Sequence, residues 1–179
     1  MGKIIEGTPV YLWYNLILDG QDLLNINLSE ELKMYLVFLL IENMHNHRLS
    51  SAVLSISYLE AASDNSLAKS ALKAVADDCL LLAGLWPENS LRRNVSADYF
   101  STLGASSYMQ LSEFSCRSKD GMGNLYKELA LNLDDVIMIL FFMHCIADLK
   151  LDFTKLEFLK YGENKPYKKV LYALEARRL

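Results

Sequence analysis

Glycine is scarce in this chain. There are only eight in 179 residues, and none falls in the Gly-x-Gly-x-x-Gly or Gly-x-x-x-x-Gly-Lys spacing whose backbone N–H groups cradle phosphates. Nucleotide-binding loops of those two kinds are therefore excluded. Cysteine is nearly as rare: Cys79, Cys116 and Cys145 are odd in number and widely spaced, which reads as reduced thiols in a cytoplasm rather than a disulfide framework. No Cys-x-x-Cys pair, His-Glu-x-x-His helix or Gly-x-Ser-x-Gly elbow occurs, so the commonest zinc and serine-nucleophile signatures are missing. Positive charge is not in excess either. Eighteen Lys and Arg against 22 Asp and Glu give a net charge of −4, and no overall field gathers a nucleic-acid backbone. The longest apolar run, Val136 to Ala147, falls well short of the roughly 20 residues that span a bilayer and contains His144, so no transmembrane segment is expected. The first twenty residues show neither a cleavage pattern nor, with Glu6 after Gly2, a myristoylation signal.

What the sequence does hold is helix punctuation. Hydrophobic residues make up 52% of the chain, enough for a substantial core. Thr8 followed by Pro9 opens a helix to about Leu18, where the aromatic content also admits a strand, and Ser29 with Glu30 and Glu31 opens a second through His45. In that second helix Leu32, Leu36 and Leu39 share a face, and Val37, Phe38, Leu40 and Ile41 predict burial on most sides. Further helices are expected over 48–62, over 66–84 with the stripe Leu72, Val75, Cys79 and Leu82, and after Ser96 with Phe100, Leu103, Ser107 and Leu111 inward. Gly104, Ala105 and Ser106 suit the close approach of another backbone. "RSKDGMGN", 117–124, reads as a flexible break. A short helix and then a wholly apolar one, 133–148 with Asn132 as its cap, follow, and a C-terminal helical pair occupies 153–178. The expected fold is all-α: a single compact helical domain over 1–179, a bundle of about six to eight helices with the 133–148 helix at its centre.

Two constellations carry chemistry. Glu42 and His45 have the Glu-x-x-His spacing that supplies half of a di-iron site. With His144 and Asp78 they form the one candidate metal or small-molecule set, although His144 has Phe141, not a glutamate, at the matching position. The plainer reading places His45 and His47 at a helix C-terminus, where positive charge suits the dipole. Cys145 follows His144 directly, but helical neighbours point about 100° apart and make a poor catalytic pair. The second constellation is the loop "LWPENSLRRNVSADYF". Asp77 and Asp78 interrupt an apolar helix, and buried carboxylates require partners. Arg92 and Arg93 are the expected counter-charges. Alternatively Trp86, Arg92, Arg93, Asp98, Tyr99 and Tyr108 form an interaction corner for a protein partner or a second copy. The basic C-terminal residues Lys165, Lys168, Lys169, Arg177 and Arg178 read as a solvated face, because Glu163 and Glu175 dilute them.

The segment Asp77 to Ser112 resembles a group of uncharacterised bacterial proteins. The matching positions are Asp78, Leu81, Leu82, Gly84, Pro87, Arg92, Arg93, Val95, Asp98, Tyr99, Gly104 and Tyr108. The resemblance covers about a fifth of the chain and implies a bacterial origin, with no activity or cofactor attached. The sequence thus predicts a cytoplasmic, non-enzymatic binding or regulatory protein that needs no cofactor, binds no nucleic acid and acts through protein–protein contact or self-association. The alternatives are a helical metal- or ligand-binding protein or enzyme, and an effector delivered into a host cell.

Overall fold

The computed structural model describes residues 7–43, 68–87, 97–147 and 165–177. These residues are 87% helical and contain no strand, so the chain is all-α. Seven helices are present among them: α1 Pro9–Leu24, α2 Glu30–Asn43, α3 Ala68–Gly84, α4 Ala97–Ser118, α5 Gly123–Leu131, α6 Leu133–Ala147 and α7 Lys165–Ala176. The helices expected over 48–62 and near 153–161 lie outside the described residues. The chain divides into two compact units. One joins Met1–His47 with Met138–Leu179, and the other is the continuous segment Arg48–Ile137.

In the first unit, α1 starts as its sequence predicts. The Thr8 hydroxyl accepts from the Tyr11 N–H at 3.2 Å, and Pro9 occupies the first turn. The helix does not stop near Leu18 but runs on to Leu24, closing at Asn25 in the left-handed conformation, φ 52°. Gly20 explains the continuation, because a Cβ there would lie 2.9 Å from Phe142 Cδ1 and 3.2 Å from Ile139 Cγ2. The glycine is kept for packing against α6, which outweighs its roughly 1 kcal/mol helix penalty. Gln21, also buried, donates from Nε2 to the Ile26 carbonyl at 3.2 Å and steadies the turn into α2.

Ser29 caps α2, its hydroxyl accepting from the Leu32 N–H at 3.2 Å. Glu30 pairs with Lys33 and accepts from the Tyr14 hydroxyl at 3.0 Å, tying α2 to α1. Those hydrogen bonds hold the Glu30 carboxyl below its ordinary range. Leu32, Leu36, Val37, Leu39 and Leu40 are buried, but Phe38 is 54% exposed. Phe38 shares the solvent-facing line with Glu31 and Glu42, so the buried face of α2 is narrower than its sequence predicts. In α6 every residue from Val136 to Met143 is buried, as the unbroken apolar run requires. Tyr167 of α7 rests on Phe141 with ring centroids 4.3 Å apart, and Val170 and Leu171 complete the buried face of that helix.

In the second unit α3 packs along α4, and α4 along α5. Leu72, Val75, Ala76 and Leu80 to Ala83 are buried. Gly104 allows the close approach that its sequence suggests, since a Cβ would stand 3.2 Å from Cys79 Cβ and 3.1 Å from Leu133 Cδ2. The break near 117–124 is a turn at 119–122 with Lys119 and Gly121 at positive φ. Asp120 accepts from the Met122 N–H at 3.0 Å there, and the Ser112 hydroxyl donates to the Gly123 carbonyl at 2.8 Å. Asn132 ends α5 rather than offering its side chain to α6: its Nδ2 donates back to the Glu128 carbonyl at 3.0 Å. Among the described residues, no single helix is long and apolar enough to cross a membrane.

Candidate interaction surface

The acidic interruption of α3 is where polar chemistry concentrates in the second unit. Asp77 is buried, yet its carboxylate accepts from the Tyr108 hydroxyl at 2.7 Å and from Lys73 at 2.6 Å. Lys73 lies one turn earlier on the same helix and Tyr108 on α4, so the charge is met locally and α3 is pinned to α4 in the same contact. Tyr126 of α5 stacks on Tyr108, centroids 6.3 Å apart and planes 20° apart. Burial pushes the Tyr126 hydroxyl upward; Lys73 pulls it down and Asp77 adds to the rise. Beside it Lys69 pairs with Asp120. That ion pair, with the Met122 N–H, brings the Asp120 carboxyl down to about 2.

The outer face of α4 is different in character. Tyr99, Thr102, Ser106 and Met109 follow one another at spacings of three and four and are all exposed, Tyr99 at 38% and Met109 at 36%. From Tyr99 to Ser112 the sequence has no charged residue. Solvent-facing helix surfaces ordinarily carry charge, while the cores of protein interfaces are depleted in Lys, Glu and Asp and enriched in Tyr and Met. The Tyr99 ring is braced edge-on against the buried Phe100 at 5.4 Å. On the flank of α4, beside the α5–α6 junction, a cleft of about 230 Å³ lies between Ser101, Ala105, Leu131, Asp134 and Asp135. Leu131 is 67% exposed, and the Ser101 hydroxyl donates to Asp134 at 2.6 Å.

Of the expected interaction corner, Asp98 and Tyr99 stand on the surface at the start of α4. Trp86 is half-buried just past the end of α3, its N–H donating to the Leu81 carbonyl at 3.2 Å. Tyr108 has no exposed surface and serves the Asp77 contact instead. Asp77 was expected to draw on Arg92 and Arg93, which lie outside the described residues; among the described residues it meets Lys73 and Tyr108. A Lys–Asp pair at i,i+4 is legible in sequence, whereas the pairing of Tyr108 with Asp77 requires the α3–α4 packing. Lys69, Asp120, Tyr126, Met109 and Leu131 were not singled out by the sequence; for Met109 the uncharged run around it was the available signal.

Of the metal set, Glu42 is exposed on α2, His144 is half-buried and stacks on Phe141 at 5.8 Å, and Asp78 is half-buried on α3. His45 lies outside the described residues. Among the described residues no three His, Cys, Asp or Glu side chains converge to hold a metal ion. Cys79 is buried, and desolvation, reinforced by Asp78, pushes its thiol up to about 12, the opposite of what a nucleophile needs. No protein-family model, curated protein or solved structure matches the chain.

Proposed function

We propose that the chain is a non-enzymatic bacterial protein of the cytoplasm that works by binding another protein through the outer face of α4. The observation that carries this reading is the uncharged exposed line Tyr99, Thr102, Ser106 and Met109, bounded by Asp98 and Glu113. Tyr and Met supply contact area, the small hydroxyl residues between them let a partner approach, and charge is confined to the two ends, where a polar rim belongs. Three cysteines without a disulfide fit a reducing compartment. The Asp77–Tyr108 contact supports the surface from behind by fixing α4 on α3.

A photo-crosslinking residue placed at Tyr99 or Met109 in the native host tests this directly. A protein adduct is expected at both positions and not at Lys127, which is exposed on α5. The adduct should disappear when the other of the two positions is changed to lysine, with the melting temperature unchanged. Absence of any adduct above the Lys127 background would refute the reading.

A further inference from the structure

The cleft beside α4 is smaller than the site of a drug-sized ligand and has room for one long side chain. Its volume of about 230 Å³ lies below the ~300 Å³ at which small-molecule sites begin. Among the described residues the charged groups lining it are the carboxylates Asp134 and Asp135, with no cation. Ser101 holds Asp134 in place at the rim, and the exposed Leu131 supplies an apolar contact. The complementary chemistry lies on α7. Its buried face is Tyr167, Val170 and Leu171, leaving Lys165, Lys168 and Lys169 in solvent with Tyr172 54% exposed among them. Lys168 Nζ sits 5.9 Å from the Tyr172 ring centroid, so cation and ring form one feature. Glu175 follows a turn later, between these lysines and the exposed Arg177.

We infer that the cleft receives α7 of a second copy of this chain, with Tyr172 against Leu131 and Lys168 and Lys169 facing Asp134 and Asp135. Cleft against cleft and basic helix against basic helix both repel, so charge selects the contact of one copy's cleft with the other copy's α7. The charges are solvent-exposed, so the contact is weak and sensitive to salt. It uses residues other than the outer face of α4 and does not rest on that reading.

Sedimentation velocity of the full chain over a range of concentrations, at low and high ionic strength, is the test. Association that grows with concentration at low salt and is lost at high salt is expected. Lys168→Glu with Lys169→Glu, and separately Asp134→Lys with Asp135→Lys, should each be monomeric, while an equal mixture of the two variants, or all four changes in one chain, should associate again. Because Asp134 also receives the Ser101 hydrogen bond, Leu131→Lys is a second cleft variant that leaves that bond intact; its association should be about tenfold or more weaker, since it removes the apolar contact and repels the lysines. A wild-type chain that stays monomeric, association indifferent to salt, or a mixture that fails to recover would overturn the inference. A dimer abolished by Tyr99→Lys but untouched by the charge reversals would overturn it too, while leaving the α4 face standing.

Discussion

At Asp77 two hydrogen bonds of unequal weight meet on one carboxylate. The bond from Tyr108 is buried on both sides, whereas the Lys73 side chain is 39% exposed. A buried hydrogen bond to a charged acceptor contributes about 1.5–3 kcal/mol, and an exposed ion pair about 0–1 kcal/mol. Tyr108→Phe is therefore expected to lower unfolding free energy by about 1.5–3 kcal/mol and Lys73→Met by less than about 1 kcal/mol, as read by urea denaturation. The thiols make a second contrast. Cys116 is exposed, while Cys79 is buried with its pKa raised from 9.0 to about 12. Because the folded value is the higher one, the stability linked to Cys79 is complete below pH 9.0 and is lost as pH climbs toward about 12. Alkylation at a fixed neutral pH followed by mass spectrometry should label Cys116 at once and Cys79 only as the fold opens.

Among the helices, glycine placement separates what the sequence discloses from what packing decides. Caps are local, so Thr8-Pro9 and Ser29 were legible, and so was the wholly apolar α6. The end of α1 was not. Gly20 looks like a terminator to any local rule, and only the Phe142 ring shows why the helix continues through it. Gly20→Ala should gain helix propensity yet lose about 1–3 kcal/mol overall, because Phe142 is buried and its ring has nowhere to retreat. Ser106→Ala on the open face of α4 should stay within about 0.5 kcal/mol, and thermal unfolding of the pair checks the contrast. Burial of α2 was overestimated for a related reason. Phe38 is apolar, but its place on the line of Glu31 and Glu42 decides where it points.

For the molecule as a whole, the all-α class followed from punctuation and periodicity, while the candidate surface was only half visible. The segment around Tyr99 attracts notice as sequence, but nothing local separates Tyr99, which faces outward, from Tyr108, which is sealed against Asp77. The cleft at Leu131 depends on how α5 stops at Asn132, where a side-chain amide chooses between two helices, and no spacing rule records that choice. The division of the chain carries a consequence for its synthesis. The segment Arg48–Ile137 leaves the ribosome as one piece and can condense while translation continues. The Gly20 notch, made earlier, stands open until Phe142 emerges. The first unit must therefore wait for its second stretch, Met138–Leu179, and in that interval the apolar side of α1 is open to a chaperone.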